Sequence, residues 1–346
     1  AFAACSSNDD VLPDGGDGVD PNGESWVALA VARPAGTRNL NNPKQENALD
    51  EEINMNSVRA IFFNNSNTVT KDYTLVGPEQ GAPGAAGEAF KIPSSSTKVL
   101  IIVNPSISLQ ASYTNGTPLA TVYGALDESV TNVANTSGAG SFMMTNARGE
   151  LEAITLHDSK TAAESAPTAL YLDRVVAKVR VYVTSDSDNT NVTVSEPNWK
   201  LNVTNKKYYP MSERTKTAVN TSTPFDRYGL GSYRLDPNYD NSTNVYTVGG
   251  NDATNANYIA NYNYFPSTAT PTPGTTWNNT TAMTGDVEYC LENTQTAAGN
   301  YHAYTTQVLL KAKLTPTKFY VPSDAPGTPT GTNSDADKDW LAIGTT

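Results

Sequence analysis

Alternating side chains divide most of this chain into short β-strands. The segment from Trp26 to Arg33 carries its larger aliphatic side chains, Val27, Leu29 and Val31, on one face. Trp26 and three alanines lie on the opposite face, so both faces are apolar and both can be covered. A proline and a glycine follow at once, which ends the predicted strand.

Further strands are predicted along the whole length of the chain. "SVRAIFFN", from Ser57 to Asn64, is one of them, and the apolar run "TKVLIIVNP", from Thr97 to Pro105, predicts a central strand. A long strand begins near Ala169 in "ALYLDRVVAKVRVYV". The remaining strand candidates are "SFMMTN", "EAITLH", "NWKLNV", "KKYYPM", "DVEYCLENT", "YTTQVLLKAKL" and "KFYVP".

In one segment the spacing of the apolar residues changes from the alternation of a strand to that of a helix. Its apolar residues fall three to four positions apart, on one helical face: Leu119, Val122, Leu126, Val130 and Val133. This spacing predicts a minor helix with Pro118 in its first turn. The aromatic and Asn-rich stretch Tyr228–Asn279 has no clear period and predicts long surface loops. The fold class predicted is therefore all-β with minor helices.

The composition fits two folded domains with a neutral polar surface. The chain has 346 residues, of which 38% are hydrophobic and 17% charged, and its length suffices for two domains of ordinary size. The segment "DSKTAAESAPT" is small and polar and places a boundary near residue 167. A net charge of −12 makes nucleic acid and anionic lipid poor partners.

The two cysteines predict different environments. They are too far apart for a disulfide framework or a CxxC metal site. Cys290 lies in the strand-like "VEYCLEN", which predicts a small buried apolar residue. Cys5 follows small residues and precedes "SSNDD", which resembles a bacterial lipobox after a signal peptide, although Phe2 replaces the usual aliphatic residue. A lipid on Cys5 would anchor the chain without a membrane helix, and an idle thiol in a flexible terminus is the alternative.

Catalytic and metal-binding patterns are not found in the sequence. The histidines, His157 and His302, are isolated, and neither HExxH nor GxSxG occurs. The stretch "SDADKDW" alternates aspartates but has Trp340 where a calcium loop needs glycine. No pair among the 35 carboxylates is favoured for glycoside hydrolysis. We therefore expect no enzyme activity, no cofactor and no metal.

Several of these stretches, in this order, resemble one family. "SVRAIFFN", "KVLIIVNP", "FMMTN", "LYLDRVVAKVRVYV" and "EYCLENT" with "YTTQVLLKAKLTP" are similar to the fimbrillins of Bacteroidales, the type V pilus subunits, and among them to the Mfa-type major fimbria subunit. The resemblance covers about residues 25–345. It implies two transthyretin-like β-sandwiches in tandem, export as an outer-membrane lipoprotein, and polymerisation into a cell-surface fimbria that supports adhesion and biofilm.

The resemblance also implies how the chain is organised. Residues 1–24 would hold the signal-peptide remnant, the lipidation site and a flexible linker, and residues 25–38 a strand released on maturation. Residues 39–166 would form the N-terminal sandwich and residues 167–346 the C-terminal one. The chain stops at "DKDWLAIGTT" without a long alternating strand, so we expect the second sandwich to be incomplete and leave the donor strand open.

Maturation in this family uses an arginine-specific surface protease, after which a neighbouring subunit fills the vacated groove. Arg33 is followed by proline, which trypsin-like proteases cleave poorly, and Lys44 is not an arginine. This leaves Arg38 in "AGTRNL", and Arg38–Asn39 is the predicted scissile bond. Burying Val27, Leu29 and Val31 would contribute roughly 5–9 kcal/mol, which rivals a domain's stability of about 5–15 kcal/mol.

The partners implied are copies of the same chain, the protease, accessory pilins, and host or bacterial surface ligands. Three alternatives stay open at this point. One is a surface glycan-binding lipoprotein, in which Tyr258, Tyr262 and Tyr264 could stack on sugars, although they could equally pack against loops or pave a subunit interface. The second is a secreted hydrolase, which two carboxylates about 5–10 Å apart in a cleft would favour. The third is a fimbrial tip adhesin.

Overall fold

The computed structural model describes residues 23–32, 52–109, 112–124, 126–127, 130–135, 141–147, 149–183, 192–211, 235–238, 260–263, 277–280, 286–294, 304–319 and 331–332. The strands of the first half are β1 Glu24–Val27, β2 Leu29–Ala32, β3 Val58–Phe63, β4 Val69–Thr74, β5 Phe90–Pro93, β6 Lys98–Val103, β7 Leu126–Asp127, β8 Ala134–Asn135, β9 Ser141–Phe142, β10 Met144–Asn146 and β11 Glu152–Ala153. Those of the second half are β12 Thr168–Arg174, β13 Val176–Arg180, β14 Val192–Asn202, β15 Thr204–Asn205, β16 Lys207–Tyr208, β17 Tyr262–Asn263, β18 Asn278–Asn279, β19 Val287–Leu291, β20 Gln307–Pro316, β21 Lys318–Phe319 and β22 Gly331–Thr332. The helices are α1 Leu119–Val122, α2 Val130–Val133 and α3 Lys160–Ser165, with 3-10 turns at Gly77–Gln80 and Ile107–Leu109. The predicted all-β class with minor helices is confirmed.

A seven-stranded sheet forms the centre of the first half. Its strand order is β2-β12-β10-β6-β3-β4, with β11 also paired to β6. All six residues of β3 are buried, and so are the last five of β6. Such strands need apolar residues in nearly every position, because both faces of the sheet are covered. The predicted central strand at Thr97–Pro105 is therefore confirmed.

Two apolar clusters cover the two faces of this sheet. One cluster joins alternate residues of β3 and β6 to β1, β2 and β5. The other joins the remaining residues of β3 and β6 to side chains of the second half, among them Val176, Tyr208 and Leu291. The two halves of the chain thus share a core.

The N-terminal segment crosses between two sheets. β1 pairs with β5 in antiparallel register, whereas β2 pairs with β12 in parallel register at the end of the central sheet. Ala28 lies between the two strands. Residues 24–32 therefore close the sandwich at one side.

The second half is built from smaller sheets. β13 pairs with β19, and β14 pairs with β18 and with the long strand β20. Trp199 and Leu201 of β14 pack against Cys290 of β19 and against Val179 of β13. This arrangement is a second, smaller two-layer packing.

Two predicted elements are corrected by the structure. The helix predicted from Leu119 to Val133 is wrong: two single-turn helices, α1 and α2, flank the short strand β7, which pairs with β16. The long strand predicted from Ala169 is interrupted at Val175, where β12 ends and β13 begins toward another partner. In both places, pairing with a distant strand overrides the local pattern.

The predicted boundary near residue 167 falls at the start of β12. The pairings of β12 with β2 and β10 place Thr168–Arg174 in the central sheet. The division of the chain into two sandwich domains stays a prediction. Within the described ranges, no helix is long and apolar enough to cross a membrane.

Candidate functional site

The N-terminal strand occupies a groove whose floor is the apolar core. Val27, Leu29 and Val31 are fully buried and join a cluster with residues of β3, β5, β6, β10 and β12. The cluster partners include Phe62, Phe90, Ile92, Ile101, Met144, Leu170 and Leu172. These three side chains fill one face of the sandwich, so their removal would expose the partners beneath them.

One wall of the groove is formed by β12 and its approach. β2 runs beside β12 from the pair Leu29–Thr168 to the pair Ala32–Tyr171, and the Thr168 amide donates to the Ala28 carbonyl at 2.9 Å. Upstream, Trp26 and His157 exchange two backbone hydrogen bonds of 2.8 and 2.9 Å. Backbone pairing therefore holds the strand along its whole length on this side.

The opposite wall is the loop of residues 84–87, which lies along the outer edge of β2. The Gly84 amide donates to the Val31 carbonyl at 2.8 Å, and the Gly87 amide donates to the Leu29 carbonyl at 3.0 Å. A Cβ on Gly87 would lie 1.9 Å from the Glu79 carbonyl oxygen, so this approach needs glycine. The strand is thus paired on both edges, as an inner strand of a sheet would be.

A short helix, α3, covers the outer face of the strand. Ala163 of α3 packs with Ala89 and Ala28 in a small cluster, and Trp26 lies against it. The Glu164 carboxylate accepts a hydrogen bond from the Ala89 amide at 3.2 Å, which ties α3 to the chain entering β5. We call these parts together the strand groove: the apolar floor, the walls of β12 and residues 84–87, and the roof of Ala163 and Ala89.

The entrance of the strand groove is polar. The Ser25 hydroxyl contacts the Ser94 hydroxyl at 2.7 Å, and the Lys91 ammonium lies 5.5 Å from the centre of the Trp26 ring. On the outside, the Lys160 ammonium pairs with the Glu88 carboxylate at 2.9 Å. Both ends of that ion pair are solvent-exposed, so it contributes little beyond orienting α3.

The segment that begins at Glu52, the first described residue after Ala32, is held separately from the strand. Glu52 is buried, and its carboxylate accepts a hydrogen bond from the Tyr289 hydroxyl at 2.6 Å and faces the Lys178 ammonium at 3.0 Å. The Arg174 guanidinium donates to the Glu52 carbonyl at 2.8 Å. We call these four residues the Glu52 anchor. It fixes the start of the described segment 52–109 to the second half without using residues 24–32.

The predicted site residues fall into two groups. Cys5, Arg38 and Asn39 lie outside the described residues. The structure brings Val27, Leu29 and Val31 together on the groove floor; their release stays a prediction.

Sequence reasoning missed the roof and the Glu52 anchor. Ala89, Ala163 and Glu52 lie outside the predicted strands and match no catalytic or binding motif. The alanines at alternate positions after Trp26 were the available signal for the roof, since a tight cover requires small side chains.

Two other residues of the sequence analysis are buried. Burial, with a smaller effect from nearby Glu288, raises the pKa of the Cys290 thiol to about 11, as fits the predicted small apolar role. Tyr262 is buried and stacks on Tyr304 with ring centres 6.4 Å apart. Tyr262 is therefore no open platform for a sugar ring, while Tyr258 and Tyr264 lie outside the described residues.

A buried polar network lies at one end of the second half. The Asp236 carboxylate accepts hydrogen bonds from the Asn238 amide at 2.7 Å and from the Thr294 amide at 2.5 Å. Burial raises the pKa of Asp236 to about 6 against the lowering effect of these donors. Across the part of the chain that the structure describes, no group of three or more His, Cys, Asp and Glu residues could hold a metal ion.

No protein-family model and no curated protein matches this sequence. Among solved structures, a candidate cell adhesion protein from Parabacteroides distasonis is 15% identical, with a TM-score of 0.44 over 85% of this chain and 76% of its own. A candidate cell adhesion protein from Bacteroides eggerthii is 15% identical, with a TM-score of 0.34 over 64% of this chain and 66% of its own. The tip fimbrial protein Mfa3 from Porphyromonas gingivalis, truncated at its C-terminus, is 14% identical, with a TM-score of 0.40 over 90% of this chain and 91% of its own. The function proposed below is drawn from the sequence and from the geometry of the strand groove.

Proposed function

We propose that this chain is a structural pilin, a subunit of a cell-surface fimbria that polymerises by strand exchange. In this proposal the precursor is exported as a lipoprotein through Cys5, and a surface protease cuts at Arg38–Asn39. The strand of residues 24–32 then leaves its groove, and a strand from a neighbouring copy replaces it. The role is structural and needs no cofactor.

The observation that carries this proposal is the way the N-terminal strand is held. Its side chains are buried on the groove floor, yet β2 lies at the end of the central sheet. Four of the strands on the floor, β3, β6, β10 and β12, pair with one another without it, whereas β5 pairs with β1. Losing residues 24–32 would therefore leave a formed but uncovered groove, with the amides of Gly84, Gly87 and Thr168 unpaired.

The energetics favour replacement of the strand over an empty groove. Three large aliphatic side chains contribute roughly 5–9 kcal/mol when buried. An added strand would recover this burial and the backbone ladder together. The Glu52 anchor supports the same scheme, since it would keep the cleaved chain in place while the strand departs.

The sequence contains a candidate for the replacement strand. Trp340–Gly344 repeats the pattern of Trp26–Ala30: tryptophan, a large aliphatic residue, alanine, a large aliphatic residue and a small residue. These residues lie outside the described part of the chain. We propose that the corresponding segment of a neighbouring copy begins the exchange.

Limited proteolysis tests the proposal. Trace trypsin on the purified precursor is expected to give one early cut before Asn39, followed by ladders on a denaturing gel and filaments in electron micrographs. Arg38→Ala should remove both the cut and the ladders, and Lys44→Ala serves as the matched control that retains them. A clean cut at Arg38 that leaves a stable monomer with residues 24–32 still bound would contradict strand exchange.

A further inference from the structure

The outer face of the strand groove is closed over one position of the strand and only partly covered over the next. Ala28 is 1% exposed and lies under Ala163 and Ala89. Ala30 lies on the same face two residues along and is only partly buried. The two positions differ in their surroundings although the side chains are identical.

The cover over Ala28 is fixed from two directions. The Glu164 carboxylate holds the Ala89 amide, and the Ser159 hydroxyl caps α3 by accepting from the Ala162 amide at 3.2 Å. The loop before Ala89 cannot move outward freely, because Gly87 donates to the Leu29 carbonyl and lies against the Glu79 carbonyl. A larger side chain at position 28 would have to displace backbone rather than a flexible side chain.

We infer that Ala163 and Ala89 make the strand groove selective, admitting only strands with alanine or glycine at the position of Ala28. This inference rests on the proposed function and adds a rule for the partner. An incoming strand needs large aliphatic side chains at the positions of Val27 and Leu29 and a small residue between them. At the position of Ala30 it can carry a larger residue. A segment of a second copy with this pattern fits, whereas an alternating strand with bulky residues on both faces does not.

The intact precursor gives the first test, because there the strand is in place whatever happens later. Ala28→Leu is expected to lower the thermal midpoint by roughly 2–8 °C through overpacking. Ala30→Leu, the matched control, adds the same atoms to the same face and should shift the midpoint by at most about 1 °C. Equal shifts in the two variants would overturn the inference.

Strand exchange gives the second test. The precursor is cut with trace trypsin and its N-terminal segment removed, and synthetic peptides with the sequence of Ser25–Ala32 are then titrated. The peptide with Ala28→Leu should bind about ten-fold more weakly than the unchanged peptide, and the one with Ala30→Leu within about two-fold. In a chain with Ala163→Gly, the penalty on the Ala28→Leu peptide should shrink.

The outcomes separate the inference from the function on which it rests. Equal binding of all three peptides would support strand exchange and overturn the selectivity. Binding of none, with a clean cut and a folded chain, would overturn the proposed function and the selectivity with it. The midpoints of the intact variants then still decide whether Ala163 and Ala89 restrict position 28 in the precursor.

Discussion

Single buried polar side chains complete this fold where the backbone ladder is interrupted. Asn146 lies at the gap between β10 and β11, which pair with different parts of β6. Its side-chain oxygen accepts from the Ile101 amide at 2.8 Å, and its nitrogen donates to the Val99 carbonyl at 3.0 Å. The amide group thus takes the place of two ladder hydrogen bonds, which buried backbone groups require.

Asp236 is a second buried polar residue, and its protonation should be linked to stability. Its pKa in the folded chain is raised to about 6 from 3.8, so the folded state binds a proton more tightly than the unfolded state. The contribution of Asp236 protonation to the free energy of unfolding is fully present below about pH 4, and it is lost as the pH rises through 6. At about 1.4 kcal/mol for each pKa unit, the loss is on the order of 3 kcal/mol.

Urea unfolding between pH 4 and pH 7 measures this effect. The free energy of unfolding of the wild type, minus that of Asp236→Asn, is expected to decrease as the pH rises through this window. Asp158→Asn, at an exposed aspartate, is the control variant. A difference that stays level, or one that increases with pH, would contradict the linkage.

At the scale of elements, the sequence predicts burial better than it predicts secondary structure. The five apolar residues of the predicted helix between Leu119 and Val133 do pack on one core cluster, as their pattern requires. They reach it from two helical turns and a strand, because β7 pairs with β16, some 80 positions away along the chain. A local pattern contains no information on that partner. Whether a side chain is buried depends mainly on its own polarity, which the sequence does give.

In the strand groove, too, burial could be predicted from the sequence, whereas the segments that meet there could not. The alternation of Trp26–Arg33 predicted which side chains lie on the floor, and the structure places them there. The alternate alanines indicated a tight cover, but the residues that form it could not be predicted, because Ala163 and Ala89 come from segments without a strand pattern and meet Ala28 only in the folded chain.

Two leucines on strands at opposite ends of the chain test whether burial on the groove floor is energetically important. Leu29 of β2 is fully buried, whereas Leu310 of β20 is 62% exposed. Leu29→Ala should lower the free energy of unfolding of the precursor by about 2–5 kcal/mol, since it removes buried methyl groups and leaves a cavity. Leu310→Ala should change it by less than about 0.5 kcal/mol. Similar losses in chemical denaturation of the two variants would show that the strand is not integral to the precursor's core.

At the scale of the whole molecule, the Glu52 anchor connects the segment that leads into β3 to the second half. Glu52 precedes β3 of the first half, while Tyr289 and Lys178 belong to β19 and β13 of the second. Phe142 packs on the edge of the Tyr289 ring with centres 4.9 Å apart, beside the core that the two halves share. A buried carboxylate needs its partners, so loss of one of them should be felt by both halves.

Tyr289→Phe tests the anchor with the ring retained. It removes one hydrogen bond to a buried carboxylate and should lower the free energy of unfolding by about 1.5–3 kcal/mol. Tyr73→Phe is the matched control, because the Tyr73 hydroxyl donates to the Glu79 carboxylate at 2.7 Å where both residues are only partly buried. Its loss should cost at most about 1 kcal/mol.

The cleaved chain makes the test specific to the anchor's proposed role. If the anchor holds the mature N-terminus while residues 24–32 depart, Tyr289→Phe should speed amide hydrogen exchange around Glu52 more after the cut than before it. The reason is that the anchor holds the first described residue after the cut, ahead of the hydrogen bonds that Asn104 makes with Asn54 and Asn56. Equal acceleration before and after cleavage would show that Tyr289 acts only through the shared core. Strand release would then have to rely on the β3 ladder and on the hydrogen bonds of residues 54–57 to keep the groove formed.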